Sequence, residues 1–350
     1  MPTYLLEGTN EIMLEARPLR IGLRLEGVGG EAAWLDVTAG GRPLDSVVRP
    51  PNMVILPSVR TPTTISVVPV GRERFPSPTI VHLSVVVEDR QSADPQRAVL
   101  VPVDVSGLDR KDLISVEPAS GGLCLKAAQS REDADLGPLG NAARVAAREL
   151  LGVQCLSDMD AVKVSVAVDG SGSAANLATT GATAAVMDLL CGVSQVITRD
   201  DHMTATIVGS GRGRSIKAAF GAIGAAVDAE LTKRVSSVGF RSTMSSPGEQ
   251  AANGRSVTYL LTGSVPADVA ELEAARETSD HECHIVAVTS ERAWDLLGGT
   301  QLPSTVIEPR PGLELRTHLL EDPALLRRVV ASLLTGSLDT NASHGERIGR

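Results

Sequence analysis

Val162-Lys-Val-Ser-Val-Ala-Val-Asp-Gly-Ser-Gly-Ser-Ala-Ala-Asn176 is the stretch from which the fold is read. Val164, Val166 and Val168 alternate with small or polar residues, the period of a short buried strand. The run stops at Asp169. Gly170 and Gly172, with the hydroxyls of Ser171 and Ser173, predict a tight turn. Ala174–Ile197 is proline-free and rich in Ala, Leu, Val and Met, so a helix is expected there. One carboxylate and two hydroxyls thus leave the carboxyl edge of a strand at the start of a helix. In open α/β sheets that edge is where ligands bind.

Downstream the pattern repeats. Strands are expected at Thr204–Val208, Ser256–Leu261 and Cys283–Val288. Helices are expected at Ile216–Arg234, Ala267–Glu277, Glu291–Leu297 and Pro323–Leu334. Such alternation predicts a doubly wound α/β domain, a parallel sheet with helices on both faces, over residues 153–336. Residues 337–350 are polar and expected to be disordered.

Upstream, residues 1–126 predict an all-β sandwich. Ile21–Leu25, Ile65–Val70, Ile80–Val87 and Val99–Val105 are apolar or alternating, and turn clusters and prolines between them exclude long helices. Residues 127–152 are expected to be a linker and an amphipathic helix, Asn141–Leu151. The segment 109–121 is charged and turn-rich and is taken with the connector, ahead of one strand at Gly122–Lys126.

Composition narrows the function. Net charge is −9 and no basic run exceeds two residues, which argues against nucleic acid as the main partner. Aromatic residues are 2% of the chain, too few for base-stacking platforms. No stretch approaches the ~20 apolar residues of a membrane span, and no signal peptide is seen, so a cytoplasmic location is expected. Cys124, Cys155, Cys191 and Cys283 lie far apart among apolar residues, without disulfide or zinc spacing.

Asp169-Gly-Ser171-Gly-Ser173 resembles the D-x-S-x-S signature of von Willebrand factor A domains, in the strand–turn–helix context where such domains carry it. The resemblance implies a Mg²⁺ ion held by Asp169, Ser171 and Ser173, with a threonine from a second loop. Thr243, in Ser242–Ser246, is the nearest match for that threonine. An open position on the metal would accept an acidic side chain of a protein partner. The family's later T-D-G stretch is here Thr262-Gly263-Ser264, without the aspartate, and Asp268 follows four residues on. Leu5–Leu14, Leu19–Leu25 and Trp34–Ala39 are similar to the opening of TerD-like tellurite-resistance and stress proteins. There Asp36 is alone where that family has several calcium-binding carboxylates. Together the resemblances imply a non-catalytic adaptor of a bacterial stress system.

The same turn supports a second reading. Gly170-Ser-Gly172-Ser-Ala-Ala175 fits the G-x-G-x-x-A fingerprint, which would make the chain a nucleotide-binding α/β enzyme. Asp169 beside a pyrophosphate opposes it. Arg212 and Arg214, in the Gly209–Gly213 loop region, are candidates for meeting an acidic partner or for solvated turn charges. Asp280-His281-Glu282-Cys283-His284 offers several metal-ligating groups but lacks a companion cluster. His82 is expected to be a satisfied sheet histidine, and His202 a solvated one. No nucleophile elbow or Walker-type motif is present.

Overall fold

The structure, a computed structural model, describes residues 3–7, 10–27, 32–44, 52–88, 95–128, 134–157, 159–172, 174–209, 213–233, 255–276, 281–296 and 300–338. The chain forms two compact units, Met1–Asp133 and Ala134–Arg350.

Among its described residues the first unit is built of strands: β1 (Thr3–Leu6), β2 (Glu11–Leu14), β3 (Leu19–Gly27), β4 (Ala33–Ala39), β5 (Arg42–Pro43), β6 (Met53–Leu56), β7 (Thr63–Pro69), β8 (Thr79–Val87), β9 (Arg97–Leu100), β10 (Val103–Asp104), β11 (Lys111–Ala119) and β12 (Gly122–Ala127). One sheet runs β1-β9-β8-β3-β6, with β10 also on β8. The other runs β2-β12-β11-β7-β4-β5. Period-two alternation buries Leu19, Ile21 and Leu23 of the first sheet against the same core as Leu35, Val37, Ile65 and Val67 of the second. The expected strand Val99–Val105 is two pieces, β9 and β10. The expected connector contains the nine-residue β11. Its alternation is broken by a bulge between Asp112 and Ile114, which leaves Leu113 and Ile114 both buried. β1 pairs with β9 in parallel, whereas the other described pairings of the two sheets are antiparallel.

The second unit contains α1 (Gly137–Leu151), β13 (Lys163–Asp169), α2 (Ala175–Thr179), α3 (Ala182–Ile197), β14 (His202–Val208), β15 (Arg214–Ala219), α4 (Phe220–Leu231), β16 (Ser256–Thr262), α5 (Val269–Arg276), β17 (His281–Val288), α6 (Glu291–Leu296), β18 (Ser304–Ile307), α7 (Leu315–Glu321) and α8 (Pro323–Leu338). The sheet order is β15-β14-β13-β16-β17-β18. All neighbours are parallel except β14 and β15. Val164, Val166 and Val168 of β13 face a large core with residues of α1, α3, α4, α7 and α8. Ala167 faces a smaller core with Leu272 of α5 and Trp294 of α6. Helices therefore cover both faces, a doubly wound α/β arrangement. Among the described residues no helix is long and apolar enough to cross a membrane.

Two expectations are corrected here. The single helix Ala174–Ile197 is broken at Thr180-Gly181, where Gly181 takes φ 73° and starts α3. Residues Ile216–Ala219 belong to a strand that pairs with β14. Their Ala-rich composition favours helix, but hairpin pairing overrides that propensity.

α1 begins at Gly137, before the expected Asn141, and packs on α3. The crossing is close because both helices carry glycine there. A Cβ on Gly192 would lie 2.3 Å from the Gly140 carbonyl oxygen and 2.8 Å from Ala143 Cβ. Buried Arg144 spans the same contact, donating to the Ala134 carbonyl at 3.1 Å and to Gln195 Oε1 at 2.8 Å. Gly192→Ala forces the two backbones apart, so it is expected to destabilise the unit by about 2 kcal/mol in urea unfolding.

Candidate functional site

β13 and β16 are parallel neighbours, yet the chain leaves them in opposite directions across the sheet, to β14 and to β17. Their carboxyl ends form the topological switch point of the sheet. Asp169 ends β13, and Thr262 ends β16 beside it, one residue past the pair Val168–Leu261. Asp169 and Ser171 are each 2% exposed and Thr262 is fully buried.

The contacts there make a latch between two strands. The Ser171 N–H donates to Asp169 Oδ1 at 2.8 Å. The Thr262 hydroxyl lies 3.0 Å from Asp169 Oδ2 and 2.8 Å from the Ser264 carbonyl oxygen. Its single hydrogen serves one of these at a time. The Ser264 N–H donates back to Thr262 Oγ1 at 3.1 Å. Gly170 is required by close approach to β14. Its N–H donates to the Val208 carbonyl at 2.8 Å, and a Cβ there would lie 3.0 Å from that same oxygen.

Of the four residues expected to hold a metal, the structure brings Asp169 and Ser171 together. Ser173 and Thr243 lie outside the described residues, as do Arg212, Asp280 and residues 339–350. Thr262 is the member that sequence reading missed. The signal for it is the order of the strands, which sets β16 next to β13.

The described donors do not fit a directly held Mg²⁺. Asp169 Oδ1 already takes the Ser171 N–H, Oδ2 lies against the Thr262 hydroxyl, and the residue is buried. Gly263, next to Thr262, offers no side chain, and no group of three or more His, Cys, Asp or Glu converges among the described residues. A hard cation seeks roughly six oxygens, usually with one or two carboxylates free to reach it. Asp268 is also buried, but it lies toward β17, where its charge helps hold the Cys283 thiol up to about 11 after the larger effect of burial.

For a phosphate, four of the described amides of the turn are already engaged. A phosphate cradle needs unengaged amides at a helix start. Here the Gly170 and Ser171 amides go to Val208 and Asp169, and those of Ala174 and Ala175 both go to the Ser171 carbonyl at 3.2 Å. The helix they open, α2, is five residues long.

Most of the remaining described candidates have structural partners. His284 is 1% exposed. Its Nε2 lies 2.8 Å from Thr305 Oγ1, which donates on to Ser332. Its ring tilts against Tyr259 with centroids 5.5 Å apart. Burial lowers the His284 pKa to about 4. His82 pairs with Glu26 at 3.1 Å, Arg214 with Glu230 at 2.8 Å, and His202 is exposed. Asp36 meets Arg110 at 2.7 Å, and the same guanidinium approaches Asp112. The lone carboxylate of the Trp34–Ala39 segment is thus already paired with an arginine. All four cysteines are free thiols.

No family model matches the chain, and no curated protein matches it. Among solved structures the chain is similar to a von Willebrand factor type A protein from Catenulispora acidiphila, at 17% identity and TM-score 0.28, over 51% of this chain and 43% of that one. It is also similar to human GIVD cytosolic phospholipase A2, solved with a fluorophosphonate inhibitor, at 9% identity and TM-score 0.13, over 57% of this chain and 46% of that one. The chain spans less than half the length of either. The strand order, not these superpositions, defines the fold of the second unit.

Proposed function

We propose that the chain is a non-catalytic binding protein whose α/β unit is von Willebrand A-like and meets a protein partner at the carboxyl edge of its sheet. The observation that carries this is the position of the D-x-S-x-S turn at the switch point, latched to Thr262 on the neighbouring strand. That edge is where doubly wound sheets bind. The engaged amides of Gly170, Ser171, Ala174 and Ala175 weigh against the nucleotide-enzyme alternative. The first unit's TerD resemblance suggests a bacterial stress or tellurite-resistance setting, with a cytoplasmic adaptor role. In this chain Asp169 holds the edge in shape rather than presenting a metal, and recognition falls to exposed groups around it such as Gly172 and Asn176.

Affinity capture with the full chain tests the reading. A partner captured by wild type should be retained in EDTA and lost with Asn176→Arg, which places a bulky cation on the exposed rim. Capture that ignores Asn176→Arg would overturn it.

A gain-of-metal variant follows from the same geometry. A Cβ on Gly263 would meet only Leu177, at an ordinary 3.5 Å. Gly263→Asp therefore adds a carboxylate one residue past Thr262, which itself contacts Asp169, at a position with room for its Cβ. Calorimetric Mn²⁺ titration is expected to show binding at least tenfold tighter in Gly263→Asp than in wild type, about 1.4 kcal/mol.

A further inference from the structure

The first unit carries a second candidate site, on the outer face of its β3–β8–β9 sheet. Cross-strand register builds it from two adjacent rows. One row is Arg20–Val86–Arg97, and the other is Met53–Gly22–Ser84. Gly22, in the middle of a nine-residue strand, has no side chain, and this leaves a dip in an otherwise covered face. With Pro95 the two rows line a cavity of about 380 Å³. That volume falls in the range of small-molecule sites, roughly 300–1,000 Å³.

The lining has one chemical character. Its floor is apolar or weakly polar, from Gly22, Ser84 and Val86. Met53 and Pro95 add apolar walls, and Arg20 and Arg97 stand on the strands either side of Val86, their backbones about 10 Å apart across two strand spacings. Arg20 is already paired with Glu88 at 2.9 Å. Arg97 is not: its Nε is shielded from solvent and finds no acceptor among the described residues. An oxyanion is the acceptor that the planar guanidinium fork of Arg97 matches. We propose that this cavity binds a small organic anion, its oxyanion on Arg97 and its apolar body over Val86 and Met53.

The test uses the full chain with benzoate and phenyl phosphate as probes and benzyl alcohol as the uncharged control, followed by calorimetry. At least one anion should bind tenfold or more tightly than benzyl alcohol. Arg97→Gln should weaken that anion at least tenfold. Gly22→Val should abolish its binding by filling the floor. The valine Cβ would lie 3.3 Å from the Ser84 hydroxyl, which can rotate away, so an unchanged melting temperature is expected for this variant. Tighter binding of phenyl phosphate assigns the site to phosphates, and tighter binding of benzoate to carboxylates. The proposal is overturned if neither anion binds wild type at about 10 mM, or if both variants bind as wild type does.

Discussion

Asp169→Ala is expected to destabilise the α/β unit by about 3 kcal/mol, whereas Asp169→Asn should cost about 1 kcal/mol or less. The difference lies in the donors that meet the carboxylate. Alanine strands the Ser171 N–H in a site that is 2% exposed, and it leaves a small void between β13 and β16. Asparagine keeps an oxygen for that N–H. Its amide can then donate to Thr262 Oγ1, because the Thr262 hydrogen has the Ser264 carbonyl to turn to, 2.8 Å away. Urea unfolding of both variants checks this. A metal-ligand role predicts another pattern: both variants would lose divalent-ion affinity, and asparagine would be no gentler than alanine. Equal destabilisation by the two substitutions would remove the latch.

The other large effect is a loss of stability in acid that belongs to His284. Burial holds its pKa at about 4, below the ordinary histidine value near 6.5. The native state therefore keeps the imidazole neutral while the unfolded chain protonates it. Above about pH 6.5 neither state binds the proton and the group leaves stability unaffected. As pH falls toward 4 the unfolded state binds more protons, and stability drops by about 1.4 kcal/mol per unit, to a total near 3 kcal/mol. Below pH 4 both states are protonated and this loss levels off. His284→Gln preserves a donor for Thr305 without a titrating ring. The gap between wild type and His284→Gln in urea unfolding is expected to change by about 3 kcal/mol, in the variant's favour, between pH 7 and pH 4. A pH-independent gap would mean that the ring is solvated.

What could be read without coordinates follows the range of the forces involved. β13 announced itself because alternation and the glycine turn are local signals. Asp169 and Ser171 were legible for the same reason. Thr262 was not, because its role exists only once β16 lies beside β13, and no local pattern encodes strand order. β15 was hidden by its alanines, since composition reports intrinsic preference and not the hairpin partner that decides. β11 was hidden by its bulge, which shifts the apolar residues out of period. The break between α2 and α3 turns on one glycine in a left-handed conformation inside a segment with helical composition.

The α1 contact bears on how the second unit could be excised from the gene. α1 comes before the first strand of its sheet, yet Leu139, Ala143, Ala146 and Ala147 share one core with Val193 and Val196 of α3. A fragment whose coding region opens at the strand would lose the α1 residues that pack against the glycine notch at Gly192 and leave that flank of α3 open to water. The natural left-hand boundary of the unit therefore falls ahead of Leu136, inside what looks from composition like mere tether.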